Sequence, residues 1–152
     1  MVTKMKNRIR TMHEGDMERA DFARPKPVTL ADISEADHQA TVIRWRNAMV
    51  WKYPSLRWLH HCPNGGFRNG REAVKLKHMG VTPGIPDLFL PYPRNGAAGL
   101  YIEMKSETGR ATACQVECIR YLRSVGYKAY VCHGADEAIK RIQEYLEEVE
   151  KC

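Results

Sequence analysis

The chain has 152 residues, of which 43% are hydrophobic and 28% charged, and this length and composition predict one soluble globular domain. Its net charge of +6 favours a polyanionic partner, although charge alone does not say which one. No apolar run approaches the roughly 18 residues of a membrane span, and no apolar stretch of a secretory signal follows the basic N-terminus. We therefore expect a cytoplasmic protein without a membrane partner.

The five cysteines argue against a disulfide framework or a zinc finger. Their number is odd and they form no CxxC pair. Cys114 and Cys118 lie four residues apart on a predicted helix, and no histidine accompanies them at the spacing of a finger.

Residues 1–28 are predicted to be a basic arm outside the core, and residues 29–152 to form a single domain. Four basic residues fall within the first ten: Lys4, Lys6, Arg8 and Arg10. Two interpretations of the arm stay open. It either follows the phosphates of a nucleic acid or is a disordered or partly helical tail.

The first helix is predicted to start between Asp32 and Ser34 and to run to about Trp51. Ser34-Glu35-Ala36-Asp37 resembles a capping box. One side of the helix carries Glu35, Gln39, Val42, Arg46 and Met49, and a second stripe of Ala36, Ala40, Ile43 and Val50 is expected to face the core. Glu35 is either part of a site or a first-turn carboxylate that the helix dipole favours.

Residues 56–62 are predicted to form a strand that leads into the turn Pro63-Asn64-Gly65-Gly66, whose N–H groups can meet a phosphate. In a strand His60 and His61 point to opposite faces, so they do not bind one metal together. A short helix from Arg71 to Met79 then ends at Gly80. This helix and the residues before it form either a solvated face or a surface for the DNA backbone. The basic residues of the segment are Arg68, Arg71, Lys75 and Lys77.

Two predicted strands, 84–90 and 99–105, are separated by a turn over residues 91–98 that contains Pro and Asn-Gly. If they pair as a hairpin, Asp87 lies beside Glu103. Glu103 and Lys105 share one face of the second strand, and Ile102 and Met104 share the other. Two carboxylates and a lysine therefore converge at the mouth of an apolar sheet.

The C-terminal third predicts a helix, a strand and a helix. Thr112 and Gln115 form a capping-box pattern, and Gly126 ends that helix. The strand 127–132 follows, and the last helix runs from about Asp136 to Val149. The helix between the strands makes a parallel crossover the natural connection. The predicted fold class is α/β, a small mixed β-sheet flanked by helices on both faces.

The hairpin has the groups that metal-assisted phosphodiester hydrolysis needs. Asp87, Glu103 and the main-chain carbonyl of Met104 offer the oxygen ligands that Mg²⁺ prefers. Lys105 can orient a water molecule or stabilise charge on the phosphate. The alternative is that Asp87 caps a turn and that Glu103 and Lys105 are exposed strand residues.

Several motifs in order resemble the PD-(D/E)XK nucleases, and more narrowly the VRR-NUC family, over roughly residues 33 to 140. The signature itself is similar to Gly84-Ile85-Pro86-Asp87-Leu88 followed by Ile102-Glu103-Met104-Lys105. The other matching motifs are Glu35 with Gln39, Pro63-Asn64-Gly65-Gly66, the approach Gly80-Val81, and Gln115 at the start of the next helix. The long basic arm departs from the family pattern.

The resemblance implies a restriction-endonuclease-like core and an endonuclease that acts on DNA with Mg²⁺, for which Mn²⁺ can substitute. Asp87 and Glu103 would bind the metal, Lys105 would be the catalytic lysine, and Glu35 would join the site directly or through water. Gln115 would support it, and no small-molecule cofactor is implied. The short form resembles stand-alone phage and bacterial members, which are expected to act as homodimers on branched DNA such as four-way junctions.

The residues proposed to contact DNA are Gln39, Asn64, Gly65, Arg68, Arg71, Lys75 and Lys77. Two alternatives remain beside the structure-directed endonuclease. One is a catalytically silent DNA-binding module, and the other is a restriction-type enzyme that reads a short sequence.

Overall fold

The computed structural model describes residue 29 and residues 32–63 and 70–147, without the side chains of residues 70–73. The described elements are α1 (Glu35–Met49), a 3₁₀ helix (Pro54–Trp58), β1 (His60–His61), α2 (Gly70–His78), β2 (Leu88–Leu90), β3 (Leu100–Lys105), α3 (Ala113–Ser124), β4 (Lys128–His133) and α4 (Gly134–Glu147). The predicted basic arm, residues 1–28, lies outside the described residues.

The four described strands form one mixed sheet in the order β1-β2-β3-β4. β1 and β2 are antiparallel, β2 and β3 form the predicted antiparallel hairpin, and β3 and β4 are parallel and connected through α3. In the hairpin Leu88 pairs with Ile102, so the next position outward brings Asp87 beside Glu103. The register that the hairpin prediction required is therefore present.

Helices cover both faces of the sheet, as predicted. On one face, side chains of β2 and β3 pack with α1 and α4 in a core of Val42, Leu88, Leu90, Leu100, Ile102, Met104, Ala138 and Ile142. On the other face, Ile119 and Leu122 of α3 pack against Ala129 of β4. The alternation of side chains along β3 and β4 divides their residues between these two cores.

α1 follows its predicted bounds closely but faces the core with other residues. Ser34 is the N-cap, and its hydroxyl oxygen accepts a hydrogen bond of 3.2 Å from the main-chain N–H of Asp37. Ala36 and Ala40 are exposed, whereas His38 and Val42 are buried. The predicted core stripe is wrong at the two alanines because the larger Trp45 and Met49 pack against the core and so set the rotation of the helix.

The strand predicted over residues 56–62 is mostly a 3₁₀ helix, and only His60 and His61 are paired as a strand. Pro54 occupies the first turn, where its fixed φ suits a helical start. The guanidinium of Arg46 then donates to the carbonyl oxygens of Leu56 (2.9 Å) and Arg57 (2.6 Å). These carbonyls are the groups that an extended strand would offer to its neighbour.

The strand predicted over residues 84–90 is also shorter, beginning at Leu88. Gly84 has φ +87° and Pro86 has no N–H, so the residues before Asp87 do not take part in the hydrogen-bond ladder between β2 and its neighbours.

In the C-terminal third the helix and strand bounds agree with the sequence to within two residues, except that the predicted end of the last helix at Val149 lies outside the described residues. Thr112 and Gln115 form a complete capping box, and Gly126 at φ +93° ends α3. β4 is an edge strand among the described strands, and the guanidinium of Arg123 donates twice, at 2.9 and 2.7 Å, to the carbonyl oxygen of Ala129. In the part of the chain that the structure describes, no helix has the length and apolar character of a membrane span.

Candidate active site

The end of β3 places the carboxyl group of Glu103 and the ammonium of Lys105 side by side inside the protein. Glu103 is fully buried and Lys105 is 5% exposed. The ammonium of Lys105 donates to Glu103 Oε1 at 2.7 Å and to the main-chain oxygen of Met104 at 2.9 Å. This burial excludes the alternative in which both are exposed strand residues.

Asp87 is held against the same strand from the other arm of the hairpin. Its Oδ2 accepts a hydrogen bond of 2.8 Å from the main-chain N–H of Met104. Its main-chain oxygen accepts from the N–H of Cys62 at 2.8 Å and from His61 Nδ1 at 2.9 Å. Asp87 therefore ties β1, β2 and β3 together at this end of the sheet.

Gln115 connects the site to α3 through both ends of its amide. Its Oε1 accepts from the main-chain N–H of Thr112 at 2.8 Å, which closes the capping box. Its Nε2 donates to Glu103 Oε1. The residue that caps the helix thus also fixes the orientation of the buried carboxylate.

Glu35 reaches the site from the first turn of α1. Its Oε2 lies 3.5 Å from Lys105 Nζ, and its side chain is 47% exposed. Gln39 is partly buried one turn further along the same helix. The structure therefore brings together Glu35, Asp87, Glu103, Lys105 and Gln115 from two helices and two strand ends.

Burial and neighbouring charges shift the pKa values of Glu103 and Lys105. Burial raises the pKa of Glu103 to about 7; the hydrogen bond from Lys105 opposes this shift and the charge of Asp87 adds to it. For Lys105, burial favours the neutral amine, but the hydrogen bond and charge of Glu103 and the charges of Glu35 and Asp87 outweigh it and raise the pKa. Lys105 therefore carries a proton at neutral pH.

The donor set fits a hard divalent cation. Glu103 Oε2 is buried and has no hydrogen-bond partner among the described residues. No group of three or more His, Cys, Asp or Glu side chains in the described ranges is arranged to hold a metal. Mg²⁺ needs only one or two carboxylates, because it keeps several waters, so Asp87, Glu103 and the Met104 carbonyl suit Mg²⁺ better than a zinc-type site.

The candidate DNA-binding residues are only partly described. Lys75 and Lys77 are exposed on α2. Asn64, Gly65 and Arg68 lie outside the described residues, and so does the side chain of Arg71.

Gly109 and His38 lie around the site without having been predicted there, and Gly84, which belongs to the matching signature, has a packing role that the sequence did not show. A Cβ on Gly84 would lie 2.7 Å from the carbonyl oxygen of Cys114, and one on Gly109 would lie 3.1 Å from Glu35 Oε1. His38 is buried, and its Nδ1 accepts a hydrogen bond of 3.2 Å from the N–H of Ala135, which anchors α1 to α4. The sequence signal available for His38 was its position three residues after Glu35, because residues three apart are neighbours on a helix.

Comparison with known proteins agrees with the geometry. The sequence model of the VRR-NUC domain family matches residues 31–136 of this chain. A solved structure described as a VRR_NUC domain protein is 34% identical, with a TM-score of 0.66, and the match covers 78% of this chain and 92% of that one. No protein of curated function matches the chain. Sequence and fold together thus make this chain a member of the VRR-NUC domain family of restriction-endonuclease-like nucleases.

Proposed function

We propose that the chain is a Mg²⁺-dependent deoxyribonuclease that hydrolyses phosphodiester bonds internally, with Mn²⁺ able to substitute. The observation that carries the proposal is the buried Oε2 of Glu103, which has no hydrogen-bond partner among the described residues. Burying an ionised carboxylate costs several kcal/mol in general. A cation that binds this oxygen offsets that cost.

Asp87, Glu103 and the Met104 carbonyl would hold the ion, with Glu35 joining directly or through a water molecule. When bound, the ion supplies positive charge that polarises the scissile phosphate. The hydrogen bonds to Glu103 support this assignment, because Lys105 and Gln115 both use Oε1 and leave Oε2 free.

Lys105 acts as a charged group in this proposal. Its raised pKa keeps the ammonium protonated, so it donates hydrogen bonds and does not abstract a proton. It orients the attacking water or stabilises negative charge that develops on the phosphate. Gln115 is a positioning residue, because it touches Glu103 and the main chain of Thr112.

We further propose that the DNA is branched or otherwise structured, as in a four-way junction, and that the enzyme works as a homodimer. Support comes from the family and from the positive charge of +6. One active site cuts one strand, so paired cuts need two copies. Lys75 and Lys77 on α2 are exposed and available to phosphates.

The test compares cleavage of linear, flapped and four-way-junction DNA with Mg²⁺ and with EDTA. Asp87→Ala and Lys105→Ala should lose cleavage, whereas Glu144→Ala, an exposed acid on α4 paired with Lys140 and Arg141, should keep it. Cleavage that persists in EDTA or in either site variant would contradict the mechanism. Binding without any cleavage by the wild type would favour the silent DNA-binding module.

A further inference from the structure

The end of the molecule opposite the active site carries a groove of about 520 Å³. α1 and α4 both start at the active-site end, at Glu35 and Gly134, and both finish beside this groove. α1 has 15 residues, so the groove lies roughly 22 Å from the active site. The residues lining it are Lys52, Tyr53, Pro54, Ser55, Arg57, Trp58, Tyr92, Arg94 and Leu146.

Every charged residue in that lining is positive. Lys52 is paired with Glu147 at 3.3 Å, and the hydroxyl of Tyr53, another lining residue, donates to the same carboxylate. Arg57 and Arg94 form no ion pair within the described part of the chain, and Arg94 Nε is buried without a hydrogen-bond partner there. Among the described residues, the charges of Arg57 and Arg94 are therefore not neutralised by an ion pair, whereas that of Lys52 is.

Trp58 is presented from a rigid support. It is 61% exposed, although Leu56 and Leu59 on either side of it are fully buried. The hydrogen bonds from Arg46 to the carbonyls of Leu56 and Arg57 hold the 3₁₀ turn that carries it. An exposed aromatic ring on a fixed backbone loses little entropy when a ligand stacks on it.

We propose that this groove binds a single-stranded segment of DNA, with a base stacked on Trp58 and phosphates on Arg57 and Arg94. The guanidinium of Arg57 already lies 5.5 Å from the centre of the Trp58 ring, which places charge and stacking surface together. Non-specific single-strand sites combine these two features. The inference rests on the proposed function, because it takes DNA as the substrate.

Two features favour an unpaired strand over a duplex. Bases in a duplex stack on each other and offer no free face to Trp58, whereas unpaired bases do. The groove is open to solvent, and its volume of about 520 Å³ has room for one or two nucleotides. A separation of roughly 22 Å equals the length of about six base pairs of B-form duplex at ~3.4 Å per base pair, so a short paired segment spans the distance between the groove and the active site. The groove would thus hold the unpaired part of a branched substrate while the active site meets a phosphate elsewhere.

The test is binding of a fluorescent oligothymidylate to the full chain in EDTA, measured by anisotropy. We expect Trp58→Ala and Arg94→Ala to weaken binding about tenfold each and Trp58→Phe to restore most of it. Trp51→Ala is the matched control, because Trp51 is 80% exposed but does not line the groove. Thermal unfolding of each variant checks that the fold is kept.

Equal loss in Trp51→Ala and Trp58→Ala, or wild-type binding by Trp58→Ala, would overturn the proposal. Displacement of the oligothymidylate by polyglutamate as readily as by unlabelled oligothymidylate would also overturn it, because the groove would then bind any polyanion. Cleavage of a four-way junction whose arms are fully base-paired, with Mg²⁺, separates the two proposals. The groove variants should retain it, because this substrate offers no unpaired strand to the groove. Failure of the wild type to cut linear, flapped and junction DNA alike would refute the nuclease activity without affecting the binding result.

Discussion

Replacing Glu103 with glutamine should remove a pH dependence of stability from the metal-free protein. The pKa of Glu103 rises from 4.5 to about 7 in the fold, chiefly through burial. The folded state thus binds the proton more tightly than the unfolded state. The favourable contribution is complete below pH 4.5 and is lost as the pH rises through about 7.

The size of the effect follows from the same two values. A pKa that moves from 4.5 to about 7 corresponds to at most about 3 kcal/mol, and the coupling of Glu103 to the Lys105 ammonium and to solvent at the end of the strand reduces this value. The wild type should therefore lose roughly 1–3 kcal/mol relative to Glu103→Gln as the pH rises across this window. Exposed carboxylates with lowered pKa values, such as Asp37 and Glu147, are common to both proteins and cancel in the difference.

The assay is urea unfolding in EDTA, followed by tryptophan fluorescence at a series of pH values from 4 to 8. Parallel profiles for the wild type and Glu103→Gln would refute the argument, because they would mean that Glu103 titrates alike in the folded and unfolded states. Adding Mg²⁺ at pH 8 should restore stability to the wild type by about 2.7 kcal/mol at a hundred times the dissociation constant. The glutamine variant should respond much less.

Three further predictions follow from the glycines and the arm. Gly84→Ala should lower the free energy of unfolding in urea by about 2–4 kcal/mol, because its Cβ would lie 2.7 Å from a carbonyl oxygen of α3 and its φ is +87°. Gly96→Ala is the control. Its φ is +73° but the space around it is open, so it should lower the free energy of unfolding by only about 1 kcal/mol. Gly109→Ala should lower cleavage about tenfold and cost about 1 kcal/mol of stability, because its Cβ would lie 2.9 Å from Ser106 Oγ and 3.1 Å from Glu35 Oε1, so that both side chains must move. Cleavage at the wild-type rate would contradict this. Deleting residues 1–28 should weaken DNA binding and flatten its salt dependence, and unchanged binding at low and moderate salt would contradict a role in phosphate contact.

The hairpin and its acidic pair could be predicted because they depend on local rules. Alternation along β3 separates Glu103 and Lys105 from Ile102 and Met104, and the Pro and Asn-Gly turn favours the antiparallel partner that carries Asp87. The capping box of Thr112 and Gln115 is likewise a short-range pattern. The resemblance implied only that the same glutamine supports the site. Its hydrogen bond to Glu103 could not be predicted, because the packing of α3 on the sheet depends on the whole fold.

The features that sequence missed depend on contacts between distant segments. The 3₁₀ turn at Pro54–Trp58 is stabilised by Arg46 from another element, and no local pattern predicts those two hydrogen bonds. The rotation of α1 that buries His38 is set by contacts with α4 and β3, and so the two alanines that seemed suited to the core face water. The burial of Glu103, and hence its raised pKa, follows only when α3 covers that end of the sheet.

The double hydrogen bond from Arg123 to Ala129 constrains how two copies of this chain can associate. β4 lies at the edge of the described sheet, and an edge strand is a template for pairing with a strand of another molecule. The guanidinium of Arg123 is already hydrogen-bonded to the carbonyl oxygen of Ala129. A strand of another molecule that donates to this oxygen would have to displace the guanidinium. Joining two sheets at β4 would therefore cost these two hydrogen bonds, which disfavours both a dimer built on that edge and edge-to-edge aggregation there.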